Sequence, residues 1–418
     1  MQVRIHRGTR EIGGSCIEVE NNAKERIVLD VGRPLWAGWG EEVPPPSVAG
    51  FAEPDPSLLA VVISHPHADH YGLLDGVTAD VPVYIGREAG AVLNAAAFFS
   101  PVSATIDPAG HLEHRTPFAI GGFTITPFLN DHSAFDAYSM VIEADGQRLF
   151  YSGDIRGHGR KAKLFEQLLN DPPVDIDTLL MEGTHVRADG SHDELEYETE
   201  ADLEERFVEM CENTTGAVVV FGSAQNLDRL VTVFRAGRRS RRQTVIDLYG
   251  ATVAAATRDS IPQPGFDGLR VYVPNRQRVR VKEAAEFERV AWITDHRVFL
   301  EEVAANPGNF IFHVPSSTDR ELLKAGVLSS NSAAAWSLWD GYLKDGSGKS
   351  LRQRLADNKV PFTSVHTSGH ASVKDLQRLV AALDPDKVVP IHSEATDRYD
   401  KLFPNVELHA DGDLWEVQ

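Results

Sequence analysis

The sequence predicts an α/β protein in which a domain with a parallel sheet is inserted into a second domain. Three observations support this prediction. The chain has 418 residues, which is more than one typical domain contains. Predicted strands that end in histidine or an acidic residue occur before about residue 195 and again after about residue 350. Between these positions, apolar strands alternate with amphipathic helices, as in a parallel sheet. We therefore expect domains at 1–195, 196–350 and 351–418, of which the first and third form one unit.

The most informative stretch is Ser64-His65-Pro66-His67-Ala68-Asp69-His70, which follows the apolar run 58–63. That run is short and rich in β-branched residues, which predicts a buried strand. Two histidines at positions i and i+2 of an extended segment project to the same side and can hold one metal ion. The Asp-His pair that follows can face a second ion. If these histidines belonged to a solvated surface loop, there would be no physical reason for several of them to follow a core strand directly.

Other predicted strands lead to residues of the same kinds. Because the loops at the ends of neighbouring strands lie close together, we expect these residues to converge on one site. In chain order, they are Asp30 after 26–29, His132 after 123–128, Asp154 after 148–153, Glu182 after 178–181, His366 and His370 after 362–365, and His392 after 388–391.

Seven side chains, four from the histidine motif and three from these other strand ends, form the predicted metal site. Neutral imidazoles and carboxylates suit zinc, with manganese as the alternative, and seven groups are enough for two divalent ions if one carboxylate bridges them. Two such ions generate hydroxide at neutral pH and hold the attacking and leaving oxygens of an ester, so the cluster predicts a hydrolase. We assign His65, His67 and His132 to the first ion, Asp69, His70 and His392 to the second, and Asp154 to both.

Three further residues are candidates for supporting roles. His370 is the expected extra catalytic group, which would donate a proton to a non-bridging oxygen or to the leaving group. Its alternative role is the N-cap of the predicted helix 373–382. Glu182 and Asp30 stand at strand ends and could orient metal-bound imidazoles. For either residue, a purely structural hydrogen bond remains the alternative.

The net charge of −20 argues against a nucleic-acid substrate, because phosphate neutralisation supplies much of the affinity of nucleic-acid-binding proteins. Salt weakens this objection, since surface charges beyond about 8 Å are largely screened. A local cationic cleft can therefore outweigh the total charge. The basic run 238–242 is one candidate RNA contact, although cations are favourable at the end of a helix in any case.

Cysteine content and hydropathy indicate the compartment. The two cysteines, Cys16 and Cys211, both lie beside apolar residues, which suits a reducing environment without a structural disulfide. No segment approaches the roughly 18 consecutive apolar residues of a membrane helix, and the first residues lack the apolar core of a signal peptide. We expect a cytoplasmic protein without a membrane partner.

The motif His65-Pro66-His67-Ala68-Asp69-His70, together with His132 and Asp154, resembles the metallo-β-lactamase fold. The resemblance covers nearly the whole chain. It implies an αββα sandwich, with the parallel-sheet domain inserted into it.

The inserted domain, with Glu182, His370 and His392, resembles the β-CASP nuclease branch of that fold. Within the branch, the sequence is most similar to the ribonuclease J family. The segments that carry this likeness are Phe221-Gly222-Ser223, His366-Thr367-Ser368-Gly369-His370-Ala371-Ser372 and Pro390-Ile391-His392-Ser393-Glu394.

The resemblance implies a phosphodiesterase that acts on RNA. It implies 5′→3′ exonuclease action with a pocket for a 5′-monophosphate, and endonuclease action is the other mode of the family. The sequence ends soon after His392, so we expect the C-terminal domain through which ribonuclease J self-associates to be missing. Homo-oligomers and association with other proteins therefore stay open. The implied catalytic residues are Asp69, Glu182 and His370, and the implied substrate-binding residues are Ser223, His366, Ser368 and Ser372.

Two alternatives compete with a ribonuclease. A small-molecule ester or thioester hydrolase of the same fold would explain the metal ligands and the acidity. It would not explain His370 or an inserted domain of about 150 residues, a typical size for an independent domain. A catalytically inactive RNA-binding subunit is the second alternative, and the intact ligand set argues against it.

Overall fold

The computed structural model describes residues 1–38, 41–100 and 105–417. The chain forms two compact units: unit 1 contains Met1–Tyr197 and Gly369–Gln418, and unit 2 contains Glu198–Ser368. The second boundary expected at 350 is therefore wrong, because the chain beyond 350 still contributes a helix and a strand to unit 2. Asp345 does not end that unit. Its side chain accepts a hydrogen bond from the backbone N–H of Gly348 and caps the next helix.

The elements are numbered in chain order. The strands are β1 (Gln2–Arg7), β2 (Cys16–Glu20), β3 (Arg26–Leu29), β4 (Leu58–Val62), β5 (Val83–Gly86), β6 (Gly110–Leu112), β7 (Phe118–Ile120), β8 (Phe123–Leu129), β9 (Tyr138–Ala144), β10 (Gln147–Tyr151), β11 (Thr178–Met181), β12 (Val218–Phe221), β13 (Gln243–Asp247), β14 (Leu269–Tyr272), β15 (Phe310–Val314), β16 (Ala333–Trp336), β17 (Phe362–Ser364), β18 (Lys387–Pro390) and β19 (Leu414–Glu416). The helices are α1 (Ala68–Tyr71), α2 (Arg87–Ala97), α3 (Ala162–Asn170), α4 (Glu200–Glu212), α5 (Leu227–Arg239), α6 (Leu248–Ala255), α7 (Asn275–Ala284), α8 (Glu288–Ala291), α9 (Leu300–Ala305), α10 (Asp319–Lys324), α11 (Gly346–Asp357), α12 (Val373–Leu383) and α13 (Tyr399–Leu402).

Unit 1 contains two mixed sheets packed face to face. One has the strand order β19-β1-β2-β3-β4-β5-β6, and the other has the order β18-β11-β10-β9-β8-β7. The apolar residues on their facing sides form a common core, in which Val3 and Leu29 of the first sheet lie with Ile125 and Met140 of the second. The strands that carry the predicted ligands are thereby held in two rigid layers.

Helices cover the outer faces of both sheets. Ala89 and Leu93 of α2 pack with Ile85 on the outer side of the first sheet. Phe165 of α3 and Leu376 of α12 belong to the core on the outer side of the second sheet. The layers are helix, sheet, sheet and helix, which confirms the predicted αββα sandwich.

Unit 2 contains one parallel sheet with the order β14-β13-β15-β12-β16-β17. Side chains of β12 alternate between its two faces: Val219 and Phe221 enter one core, and Val218 and Val220 enter the other. Burial on both faces explains why these strands are continuous apolar runs. The predicted parallel-sheet domain is confirmed.

The basic run 238–242 has structural partners. Arg239 contacts Glu204 and Glu205 at 3.0 and 2.6 Å, and Arg242 donates hydrogen bonds to the backbone carbonyls of Gly216 and Cys211, both at 2.7 Å. The C-terminal end of α5 is thus tied to α4 and to the start of β12. These partners support a structural role in place of the RNA contact considered above.

Within the described residues, no helix is both long enough and apolar enough to cross a membrane. Cys16 and Cys211 are buried free thiols. Burial raises the pKa of both, so neither is a reactive thiolate at neutral pH.

Candidate metal centre

The histidine motif lies at the C-terminal end of β4, where the chain enters the single turn of α1. His65 and His67 precede this helix, whereas Asp69 and His70 belong to it. His65 and His70 are buried, and the other two are half-buried. The segment is packed closely against Gly32, where a Cβ atom would stand 1.8 Å from the backbone oxygen of Asp69. Only glycine at position 32 allows this approach.

His65, His67 and His132 form a first group of imidazoles. Their ring centroids are 4.6 to 4.9 Å apart, and 3.1 Å separates His132 Nε2 from His67 Nδ1. His132 Nδ1 donates to the backbone oxygen of Gly369 at 2.5 Å, which leaves Nε2 facing the group. Burial lowers the pKa of His65 and His132 well below the ordinary value and that of His67 to about 4. All three are therefore neutral, the form that binds a metal.

Asp69, His70 and His392 form a second group. His392 Nε2 lies 3.4 Å from Asp69 Oδ2, and His70 Nε2 lies 4.0 Å from the same oxygen. Asp154 lies between the two groups: its Oδ2 is 3.2 Å from His70 Nε2 and 3.6 Å from His65 Nε2. The structure thus brings together the seven predicted ligands.

Unpaired buried atoms show that this cluster suits a cation. Within the described part of the chain, His65 Nε2, His70 Nε2 and both carboxylate oxygens of Asp154 are buried without a well-formed hydrogen bond, although such atoms are costly to leave unpaired. Burial opposes the charge on Asp154, yet His392 and His70 hold its pKa well below the ordinary range. A buried anion surrounded by nitrogen ligands fits a divalent metal ion.

Asp30 fixes the orientation of His70. It directly follows β3, and it accepts hydrogen bonds at Oδ2 from His70 Nδ1 at 2.8 Å, from Ser64 Oγ at 2.7 Å and from the Tyr151 hydroxyl at 2.5 Å. A further bond from the Ser64 N–H reaches Oδ1 at 2.7 Å. With Nδ1 held in this way, His70 presents Nε2 to the cluster, as expected for a metal-binding imidazole.

Glu182 and His370 form a pair beside the cluster. Glu182 directly follows β11 and accepts the Ile155 N–H at 2.9 Å through Oε1, while its Oε2 lies 3.0 Å from His370 Nδ1. Burial alone would lower the pKa of His370. Glu182 and then Asp154 outweigh this effect and raise it to about 9. His370 is therefore protonated at neutral pH and equipped to donate a proton.

His370 is not the N-cap of α12, which resolves the alternative left by the sequence. The cap is Ser372, whose hydroxyl accepts the Asp375 N–H at 3.1 Å and donates to the Asp375 carboxylate at the same distance. Ser372 belongs to unit 1, whereas the other three predicted phosphate-binding residues belong to unit 2. Its predicted contact with substrate stays a prediction, and the structure gives its hydroxyl a capping role.

Sequence reasoning missed three hydroxyl groups around the cluster, those of Ser64, Tyr151 and Thr184. The first two support Asp30, as described above. Thr184 Oγ1 lies 2.9 Å from His392 Nδ1 and 3.1 Å from His370 Nδ1. The available signal was position alone, because Thr184 follows the strand-end Glu182 by two residues.

Ser223, His366 and Ser368 lie at one edge of the unit 2 sheet. Ser223 is exposed after β12 and accepts the Gln225 N–H at 3.2 Å, just before α5 begins. His366 and Ser368 follow β17 and are half-buried. Strands β12 and β17 run parallel with β16 between them, so all three residues leave the sheet at its C-terminal edge.

A fully buried arginine ties this edge together. Arg229 of α5 pairs with Glu200 at 3.0 Å and donates to the Ser337 hydroxyl and, at 3.4 Å, to the backbone oxygen of Val365. Ser337 Oγ also donates to Val365 O at 2.6 Å. The chain that leads into His366 is thus held against the first turns of α5.

Two protein families match parts of the chain that contain this cluster. The "Beta-lactamase superfamily domain" matches residues 38–222. The "Zn-dependent metallo-hydrolase RNA specificity domain" matches residues 362–404. The first match includes six of the seven predicted ligands, and the second includes His370 and His392. Together with the cluster geometry, the zinc-dependent family supports the use of divalent metal by this chain.

Similar proteins carry the name ribonuclease J. The protein from Sinorhizobium meliloti is 22% identical over 84% of this chain and 60% of its own length, and that from Helicobacter pylori strain B128 is 20% identical over 98% and 60%. An "RNase J-like protein" from Methanocaldococcus jannaschii is 23% identical over 96% of this chain and 93% of its own length. The predicted resemblance to ribonuclease J is confirmed.

A solved structure has the same fold. It is a protein of unknown function from Enterococcus faecalis V583, with a TM-score of 0.78 and 19% identity over 99% of both chains. The chain spans about 60% of the length of the ribonuclease J proteins from S. meliloti and H. pylori.

Proposed function

We propose that this chain, which has a metallo-β-lactamase fold and is similar to ribonuclease J, is a metal-dependent ribonuclease that hydrolyses the phosphodiester bonds of RNA. One observation carries the proposal: seven nitrogen and carboxylate ligands meet in two groups with the buried carboxylate of Asp154 between them. The similarity to proteins named ribonuclease J and to an RNA specificity domain supports RNA as the substrate.

Two divalent ions fit the two groups, zinc in the first instance and manganese as the alternative. His65, His67 and His132 would hold one ion, and Asp69, His70 and His392 would hold the other. When bound, such a pair lowers the pKa of water so that hydroxide is available at neutral pH. Asp154 faces both groups and would bind both ions. Asp30 and the backbone oxygen of Gly369 keep the imidazoles of His70 and His132 in the orientation that this requires.

His370 is the proton donor in this proposal. Glu182 holds its Nδ1 at 3.0 Å and stabilises the protonated ring. Hydrolysis breaks a P–O bond and leaves charge on the departing oxygen, so a donor at this position lowers the barrier. Asp69 would bind the second ion as one of its ligands, and its carboxylate contacts the imidazole of His392.

The mode of action that we favour is 5′→3′ exonuclease cleavage from a 5′-monophosphate. Ser223 is exposed just before α5, and the N-terminus of a 13-residue helix favours anions. His366 and Ser368 leave the same sheet edge. A terminal phosphate held by these three groups would fix the register of the RNA.

The test uses purified protein loaded with zinc or manganese and labelled single-stranded RNA that carries either a 5′-monophosphate or a 5′-hydroxyl. We expect mononucleotides from the first RNA alone, and no product with the Asp154→Ala variant. Equal internal cuts in both RNAs would overturn the exonuclease mode and retain a ribonuclease. Turnover of a simple ester without RNA cleavage would identify a small-molecule hydrolase. Tight RNA binding without any cleavage would identify an inactive subunit. The last two outcomes each overturn the proposal.

A further inference from the structure

We propose that Thr184 is a positioning residue that joins a metal-binding imidazole, that of His392, to the proton-donating pair His370 and Glu182. Its hydroxyl oxygen lies 2.9 Å from His392 Nδ1 and 3.1 Å from His370 Nδ1. The two histidines are stacked, with ring centroids 5.5 Å apart and an interplanar angle of 27°. One hydroxyl therefore contacts the same nitrogen of both rings.

The turn after β11 places Thr184 at this point. Glu182 directly follows the strand, and Gly183 passes so close to Tyr399 that a Cβ atom would stand 1.7 Å from the Tyr399 hydroxyl. The Gly183 N–H donates to the backbone oxygen of His392 at 3.4 Å, and the Gly183 oxygen accepts the Val186 N–H at 3.0 Å. Thr184 is consequently buried in a turn that the neighbouring backbone holds in place, and the β-branched side chain has little rotamer freedom.

The arrangement of protons follows from the partners. His392 presents Nε2 to Asp69 and Asp154, at 3.4 and 3.8 Å. A neutral imidazole that binds a metal through Nε2 carries its proton on Nδ1, so Nδ1–H of His392 donates to Thr184. His370 Nδ1 faces the carboxylate of Glu182 and therefore also carries a proton.

Thr184 Oγ1 accepts the Nδ1–H of His392, and it shares the single Nδ1–H of His370 with Glu182 Oε2 in a three-centre contact, since a hydroxyl oxygen has two lone pairs. This contact fixes the tautomer of His392 in the form that can bind a metal. It also limits rotation of the His370 ring, because Nδ1 of that ring then contacts both Glu182 and Thr184. Occupancy of the metal site and the position of the proton donor are thereby linked through one side chain.

The first experiment measures metal affinity without RNA. Thr184→Val keeps the shape of the side chain and removes the acceptor, so Nδ1–H of His392 is left buried and unpaired. In a chelator competition with zinc, we expect the weaker-bound ion to lose about 10–100-fold in affinity, the usual effect of removing a partner of a metal ligand. Thr184→Ser keeps the hydroxyl and should restore the affinity to within a few-fold of the wild-type protein, by the same reasoning.

Thr178→Val is the matched control. Thr178 is a buried residue of β11, and its hydroxyl has no hydrogen-bond partner among the residues that the structure describes. The substitution is chemically identical and lies on β11, the strand that leads to Thr184, so a general effect of removing a buried hydroxyl would show in both variants. We expect Thr178→Val to leave metal affinity unchanged. Thermal melting of the metal-free proteins monitors folding, and Thr184→Ala serves as the second hydroxyl-free variant if the valine variant does not fold.

The second experiment tests the link to His370, and this part rests on the proposed function. With RNA as substrate and saturating metal, we expect Thr184→Val to lower kcat by a larger factor than that by which it changes KM. Its effect should shrink in a His370→Ala background, because the two residues act together. Unchanged metal affinity in Thr184→Val, or equal losses in the serine and valine variants, would overturn the inference. If the wild-type protein cleaves no RNA, the proposed function fails, while the metal measurement still decides the role of Thr184.

Discussion

Unit 1 buries Asp154 with neither carboxylate oxygen in a well-formed hydrogen bond to any described residue, whereas unit 2 buries Arg229 with hydrogen bonds to Glu200, Ser337 and Val365. Both are charged groups in a protein interior, where an unpaired charge is expensive. In unit 2, the protein itself supplies the partners, so the pair is complete and its role is structural. In unit 1, the carboxylate of Asp154 faces imidazole nitrogens from both ligand groups, an arrangement that suits a bound cation. Burial of a charged group alone therefore does not identify a functional site. The informative observation is whether the protein supplies hydrogen-bond partners for the atoms of that group.

The strongest test of this difference removes the carboxylate that lies between the two ligand groups. Asp154→Ala should reduce the metal content per chain and lower RNA hydrolysis by more than the roughly 10²–10⁴-fold that a general acid contributes, since hydroxide formation is lost as well. Elemental analysis and single-turnover cleavage measure the two effects. An alanine variant with full metal content would remove Asp154 from the ligand set.

His370→Ala separates proton donation from metal binding. We expect about 10²–10⁴-fold slower turnover, because a positioned acid contributes that much, with metal content equal to that of the wild-type protein. His392→Ala is the matched comparison, since it removes a neighbouring imidazole that is assigned to the metal and should lower metal occupancy. The proton-donor assignment fails if His370→Ala cleaves RNA at the wild-type rate.

Breaking the complete pair of unit 2 should change stability and leave the metal centre intact. Arg229→Met leaves Glu200 buried without its cation, which typically costs about 3–5 kcal/mol of unfolding free energy. Arg352 is an exposed residue of α11, and Arg352→Met should stay within about 0.5 kcal/mol of the wild-type protein. Denaturant unfolding measures both variants, and metal content should not change in either. A stable Arg229→Met variant would show that the pair is dispensable.

The smallest expected effect concerns Asp247, a fully buried carboxyl that forms no ion pair with the residues described by the structure. Burial raises its pKa from 3.8 to about 6, although the Gly250 N–H and the Gln277 amide donate to it. Between these pH values Asp247 is ionised in the unfolded chain but still protonated in the folded protein, and its ionisation therefore favours unfolding. Stability consequently falls as the pH rises from about 4 to about 6. The linkage limit is about 3 kcal/mol, since one pKa unit corresponds to about 1.4 kcal/mol.

Asp247→Asn should flatten this decline, because the amide cannot ionise. Urea unfolding of the wild-type protein and of the variant at pH 4, 5, 6 and 7 measures the difference. Parallel stability curves for the two proteins over this range would show that Asp247 does not titrate as its burial suggests.

Much of the fold was accessible from the sequence because its signals are local. Continuous apolar runs such as Val218–Phe221 indicate a strand buried on both faces, and the structure confirms a parallel sheet there. The predicted end of the inserted domain was wrong for a related reason. Glycine near residue 346 indicates a break in the chain, but here the break precedes α11, and only the pairing of β17 with β16 shows that the unit continues.

The sequence by itself determined which residue types stand at the ends of strands, since period and composition can be read along the chain. Tertiary structure decided how those residues are used. Asp30 reaches His70 across 40 positions, and Thr184 reaches His392 across 208. Ser372 is the N-cap of α12, and His370 pairs with Glu182 instead. Contacts of this range depend on how sheets stack and loops turn, and no local pattern encodes them. The candidate metal ligands could therefore be predicted from the sequence, and the hydroxyls that contact them could not.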